Sequence, residues 1–388
     1  MTTSPTANWS YPTSIRFGAG RISELARAAK SAGFSRPLFV TDPGLAGLPI
    51  TAAAMDVLKT EGMEAQLFSD VQPNPVSANV AAGVEAYKAG GHDGVIAFGG
   101  GSALDAGKCI AFMTGQTRPI WDFEDVGDWW KRADPDGIAP IVAVPTTAGT
   151  GSEVGRAGVI SNEETHTKKV IFHPLMLPKV VICDPELTVG MPPAITAGTG
   201  MDALAHCLEA YCAPSYHPMS EGIALEGMRL VKEALPRAYA DGTDIEARAH
   251  MMSAAAMGAT AFQKGLGAIH SLSHPVGAIY NTHHGLTNAV FMPYVLMHNR
   301  AAIEAKMGRL SAFLELPKPG FDGFLDWVME MRSNLGIPHT LAELGLNSEK
   351  ADLIAEMAVV DPTAGGNPVE LTVEGARAIF DAAMSGTL

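Results

Sequence analysis

The chain has 388 residues, of which 47% are hydrophobic, and 27 basic against 41 acidic side chains give it a net charge of −14. That length accommodates two domains of ordinary size. No apolar run reaches the roughly 18–20 residues that span a bilayer, and an acidic chain without a basic block or aromatic-basic interleaving argues against nucleic acid as a partner.

In chain order, the opening MTTSPTANWSYPT has neither a basic n-region nor an apolar core, so no signal peptide is expected. Short apolar runs at Pro37–Val40, Ala65–Phe68, Gly94–Phe98 and Pro140–Val144 read as strands, with Val180–Cys183 as a later one. Helix-compatible stretches at 20–32, 50–61, 77–90 and 102–113 separate them. Strand-helix alternation at this spacing predicts a mostly parallel, Rossmann-like sheet covered on both faces. The three prolines of DPELTVGMPP (184–193) suit a boundary, placed between 186 and 187. Beyond it, periods of three to four residues dominate 195–212, 220–239, 244–262, 287–311, 321–335 and 370–385, which predicts an all-helical second domain. Four cysteines (109, 183, 207 and 212) lack CxxC or disulfide-rich spacing, which fits a reducing, cytoplasmic interior.

Three segments of the first half carry cofactor chemistry. GGGSALDAGK (99–108) follows the strand at 94–98; its glycines permit close backbone approach, and the helix they open directs N–H groups at an anion. Gly100, Gly101, Ser102 and Asp105 are the candidates here, although Leu104 stands where the usual dinucleotide fingerprint has its third glycine. PTTAGTGSE (145–153) puts Thr146, Thr147 and Thr150 at a strand's C-terminal end, where open α/β sheets bind ligands. A capped helix start with Glu153 in a capping box is the plainer reading of the same residues. Asp42 closes PLFVTD; a carboxylate there accepts both adenosine ribose hydroxyls and repels a 2′-phosphate, favouring NAD over NADP. It is also a natural first residue for an Asp-Pro-Gly turn.

The second half carries metal chemistry. In GTGMDALAHCLEAYC (198–212), Asp202 and His206 are four apart and share a helix face. In GLGAIHSLSHPVGAIYNTHHG (265–285), His270 and His274 are again four apart; Pro275 perturbs that helix, and a turn at 281–282 returns His283 and His284. Asp202 and His206 joined to His270 and His284 form a one-carboxylate, three-imidazole set. Such a mixture suits Fe²⁺ or Zn²⁺ better than oxygen-seeking Mg²⁺ or Ca²⁺.

On these motifs the chain resembles the iron-containing alcohol dehydrogenase family over nearly its whole length. The resemblance implies the dehydroquinate synthase-like architecture of a sheet domain followed by a helical domain. It implies that Asp202, His206, His270 and His284 hold iron, with His274 beside the metal as a proton relay or a support for a ligand. It also implies that the GGGS turn takes the NAD(P) pyrophosphate. Asn74, Thr146, Thr147, Thr150, Lys169 and Leu187 would then touch the cofactor. The expected activity is reversible oxidation of a primary alcohol to its aldehyde by a homodimer or larger homo-oligomer. Glycerol dehydrogenase-like and maleylacetate reductase-like enzymes share the architecture, and a metal- or NAD-binding sensor without turnover is the rival of another class. Arg156 and Lys264 stand where relatives usually carry small or neutral residues; facing the substrate, either would anchor an acidic tail such as that of a semialdehyde.

Overall fold

The computed structural model describes Tyr11, residues 13–165 and residues 167–388. The chain divides into two compact units, with the break between Gly190 and Met191, a few residues beyond the expected boundary.

The first unit runs β1 (Ser14–Phe17), α1 (Leu25–Ala32), β2 (Pro37–Val40), α2 (Pro43–Ala46), α3 (Pro49–Thr60), β3 (Gln66–Phe68), α4 (Ser77–Ala89), β4 (Gly94–Gly99), α5 (Gly101–Met113), β5 (Ile141–Pro145), β6 (Ala157–Asn162), β7 (Thr167–Phe172) and β8 (Val180–Cys183). Six strands form one parallel sheet in the order β1-β8-β5-β4-β2-β3, while β6 and β7 make a separate antiparallel pair. Successive side chains of a strand face opposite ways. Leu38, Val40 and Val95 therefore join the helix residues Val80, Ala106 and Ile110 on one face. Phe39, Ile96 and Phe98 meet Leu25, Ala29 and Leu58 on the other. Strands covered on both faces read as continuous apolar runs, which is why β2, β4, β5 and β8 stand where the sequence predicts them.

Three strands escape the sequence reading. SIRF of β1 lies at the sheet edge with largely exposed side chains, and β6 and β7 are only partly buried, so none has an apolar run. No helix starts after PTTAGTGSE. Ser152–Val154 is a single 3-10 turn that leads into β6. Glu153 is no capping residue there but a buried carboxyl, pushed up to about 7 by burial.

The second unit contains α6 (Pro193–Cys212), α7 (Pro218–Ala240), α8 (Ile245–Ala261), α9 (Ala268–Tyr280), α10 (His284–Phe313), α11 (Gly320–Asn334), α12 (Ala351–Val360) and α13 (Val373–Ser385). Among the described residues no strand follows Cys183. α6 packs against α7, α8 and α10 and is buried along nearly its whole length, as expected of a helix apolar all round. The helix α9 continues through Pro275, which merely removes one backbone donor within it. It ends at Asn281, whose left-handed φ of 54° turns the chain into α10. α12 has no counterpart in the sequence reading.

Candidate metal and cofactor sites

The metal donors come from three helices. α6 presents Asp202 and His206 one turn apart, α9 presents His270 in its first turn, and α10 presents His284 as its first residue. The His206 and His270 Nε2 atoms each lie 3.9 Å from Asp202 Oδ1, and His284 Nε2 lies 3.6 Å from it. Four donors at about 2.1 Å around a tetrahedral ion would be about 3.4 Å apart. The set therefore closes on a volume of the right size, and its chemistry of one carboxylate and three imidazoles fits Fe²⁺ or Zn²⁺. Asp202, His206 and His270 are all buried.

Close backbone contact makes this convergence feasible. A Cβ on Gly285 would fall 2.2 Å from the Gly198 carbonyl oxygen. Only glycine lets α10 begin so near α6, and this brings His284 to Asp202. His206 and His270 stack with ring centroids 4.7 Å apart, and His274 stacks on His284 at 5.5 Å.

Polar neighbours hold the donors. Asn288 Nδ2 donates to Asp202 Oδ1 at 2.8 Å and lies 3.2 and 3.1 Å from the Nε2 atoms of His270 and His284. His270 Nδ1 meets Glu209 Oε2 at 2.5 Å. Burial disfavours a charged His270, but the Glu209 and Asp202 carboxylates outweigh this and hold its pKa above the ordinary value. His274 Nδ1 meets Asp361 Oδ2 at 2.9 Å. Burial alone would raise the Asp361 pKa, yet His274 and the Thr363 hydroxyl and amide hold it below the usual carboxylate range. His283 is the N-cap of α10, its Nδ1 accepting from Leu286 N–H at 3.3 Å. Sequence reasoning missed Glu209, Asn288 and Asp361. Glu209, seven residues after Asp202 and on the helix face that carries Asp202 and His206, had a readable signal. Asp361, 87 residues from His274, had none.

In the sheet unit, three loops follow the C-terminal ends of adjacent strands: Asp42 after β2, the glycine turn after β4 and the threonine loop after β5. The chain runs from β2 to β3 on one side and then crosses back to β4 on the other side of β2, which makes the C-terminal edge between β2 and β4 a topological switch point. A Cβ on Gly101 would sit 2.6 Å from Thr150 Oγ1, so the threonine loop lies directly on the start of α5. The N-cap of α5 is Gly100, which supplies no side chain to close the first-turn N–H groups. A helix start of this kind directs its first-turn N–H groups outward, the arrangement from which the sequence reading expects Gly100, Gly101 and Ser102 to meet an anion. Asp42 caps α2, accepting from Leu45 N–H at 3.1 Å, which is the turn role expected of it.

Other sequence candidates have internal partners. Asp105 is buried, accepts from Ser152 Oγ and from Val159 N–H at 3.0 Å, and pairs with Lys108 at 3.3 Å, so it braces the threonine loop and β6. Leu187 packs in the core with Phe39 and Val144. Lys169 pairs with Glu124 at 3.0 Å, Asn74 takes a positive φ of 56°, Thr146 is buried, and Thr147 is half-buried. Arg156 is half-buried, with its guanidinium 5.4 Å from the centre of the Phe172 ring.

Lys264 corrects an expectation. Its side chain is fully buried, and its Nζ donates to the carbonyls of Ala210 at 3.0 Å, Tyr211 at 3.2 Å and Ala213, and pairs with Glu221 at 3.2 Å. It closes the C-terminus of α6 and does not offer its charge to a substrate. The four cysteines are free and buried, and none of the described helices is long and apolar enough to cross a membrane.

A parallel-sheet unit with a glycine turn at its switch point, followed by a helical unit that gathers three imidazoles on one carboxylate, defines a metal-dependent dehydrogenase architecture. Comparison with known proteins agrees. The profile of iron-containing alcohol dehydrogenase matches residues 12–185, and that of the C-terminal region of the Fe-containing alcohol dehydrogenase family matches residues 196–384. A 4-hydroxybutyrate dehydrogenase of Cupriavidus necator is 38% identical over 384 residues, covering 96% of this chain and 99% of the relative. The crystal structure of a 1,3-propanediol oxidoreductase superposes with a TM-score of 0.92 at 32% identity, covering 98% of this chain and 100% of that one. A sulfoacetaldehyde reductase from Bifidobacterium kashiwanohense, solved with NAD⁺, superposes with a TM-score of 0.88 at 29% identity, covering 98% and 100%. The protein belongs to the iron-containing alcohol dehydrogenase family and is an oxidoreductase of alcohols and aldehydes.

Proposed function

We propose that the protein interconverts a primary alcohol and its aldehyde with NAD(H), that Asp202, His206, His270 and His284 hold iron, and that the preferred substrate carries an acidic tail. The convergence of three Nε2 atoms on Asp202 Oδ1 carries the catalytic part of this reading. An ion held there supplies Lewis-acid polarisation of a substrate oxygen, and a bound nicotinamide supplies the hydride acceptor. The chain's own residues do the rest. Asn288 keeps Asp202 aimed at the imidazoles. His274, whose Nδ1 proton is held by Asp361, presents its Nε2 lone pair as a proton acceptor beside His284. The uncapped start of α5 receives the pyrophosphate, the threonine loop orients the dinucleotide, and Asp42 takes the ribose hydroxyls. Four free, buried cysteines support a reducing, cytoplasmic setting.

The acid-tailed preference rests on the 4-hydroxybutyrate relative, whose named substrate is an ω-hydroxy carboxylate, and on the sulfonate-bearing aldehyde of the sulfoacetaldehyde reductase. With Lys264 buried, Arg156 is the remaining cation proposed from the sequence. The test is kcat/KM with NADH and added Fe²⁺ for succinic semialdehyde against butanal, read at 340 nm. An anchored carboxylate gives the wild type a preference of about tenfold, on the order of 1–2 kcal/mol, that disappears in Arg156→Ala. Preference for butanal in the wild type ends the acid-tail reading; no turnover of either compound, with metal and NAD both bound, ends the catalytic one.

A further inference from the structure

One buried carboxylate beside the ligands is not itself among the donors. Glu209 lies on α6, three residues beyond His206 and on the face that carries Asp202. Only 6% of it is exposed. A carboxylate is costly to bury unless its lone pairs are used. Both of its oxygens are. Oε2 accepts from His270 Nδ1 at 2.5 Å, and Oε1 accepts from Ile269 N–H at 2.7 Å.

The second bond matters because α9 cannot cap itself. Its N-cap, Gly267, has no side chain, and the first free amides find acceptors from other parts of the chain: Ala268 N–H on Asn367 Oδ1 at 3.1 Å, and Ile269 N–H on Glu209. Asn367 is in turn locked by a reciprocal pair of 2.8 Å bonds with Asn299. Glu209 thus grips both the first turn of α9 and the imidazole that this turn carries. A cap alone would need one oxygen and no charge. The bond to Nδ1 is what a ligand histidine requires, because a proton held on Nδ1 leaves the lone pair on Nε2, the atom that faces Asp202.

We propose that Glu209 is a positioning residue of the metal centre, which selects the ligating tautomer of His270, strengthens Nε2 as a donor and seats it by capping α9. The inference rests on the ligand assignment above.

Glu209→Gln separates the two roles, since its amide oxygen still caps Ile269 while its uncharged group no longer holds a proton on Nδ1. Metal-stripped wild type, Glu209→Gln, Glu209→Asp and His270→Ala are titrated with Co²⁺ against a chelator, following the visible absorption of the bound ion, and melted without metal. Glu209→Gln should melt near the wild type, bind Co²⁺ about 10–100-fold more weakly and show an altered ligand-field spectrum. Glu209→Asp, with its charge drawn back by one methylene, should lose part of that affinity. Wild-type affinity and spectrum in whichever Glu209 variant folds, with affinity lost in His270→Ala, overturns the proposal. Wild-type affinity in His270→Ala overturns the ligand assignment itself.

Discussion

Replacing Lys264 with methionine tests the correction that the structure makes to the substrate reading. The variant keeps the apolar stem and removes the ammonium that closes α6. Ala210 and Ala213 then lose this donor, while Tyr211 keeps the Lys306 bond at 2.5 Å. Each buried carbonyl left unsatisfied costs about 1–3 kcal/mol, and the loss of a cation at a helix C-terminus adds some tenths to one. Against this, the variant no longer buries a charge. Burial is the main reason the Lys264 pKa is pushed down to about 8, with Lys306 adding to it and Glu221 opposing it. The balance is a loss of about 2–4 kcal/mol at pH 7, or about 5–15 °C in melting temperature for a unit of this size. The pH dependence has a definite sign. A folded-state pKa below the unfolded value means the folded chain binds fewer protons between about pH 8 and 10.5. Wild-type stability therefore gains from this group as pH rises through that window, and the gap to the methionine variant widens. Thermal melts by circular dichroism measure the loss, and kcat/KM for succinic semialdehyde over butanal measures selectivity, which should stay as in the wild type. An unchanged melt together with a lost preference for the acidic aldehyde would refute the reasoning and return Lys264 to the substrate site.

Two further outcomes are expected. Asp42→Gly should raise the kcat/KM for NADP relative to NAD by at least about tenfold, since one change removes both the ribose acceptor and the repulsion of a 2′-phosphate; its stability cost should be a few tenths of a kcal/mol, because glycine is a tolerable N-cap for the short α2. An unchanged NAD/NADP ratio would leave Asp42 as a cap alone. Asp361→Asn, with its oxygen still held by Thr363, turns an N–H toward His274 Nδ1 and moves the imidazole proton to Nε2. It should lower kcat by more than about tenfold with little change in bound metal or KM; a kcat within twofold of the wild type would leave His274 as a packing residue.

What the sequence alone determines here follows from local physics. Runs such as PLFV and GVIAF are apolar without alternation because both faces of the sheet are covered, so their strands are legible. Asp202 and His206 declare a common face because four residues make about one helical turn, and GGGS declares close backbone approach because only glycine permits it. The tertiary structure decided what depends on distant partners. Burial of the Lys264 stem against the end of α6 turned a candidate substrate anchor into a helix cap. The approach of α10 to α6 at Gly198 and Gly285 set His284 on Asp202. Asp361 reached His274 from 87 residues away through α12, a helix that the sequence reading passed over. Periodicity reports which face of an element is buried. It carries no information about which other face comes to meet it, because that is fixed by packing among residues far apart in the chain.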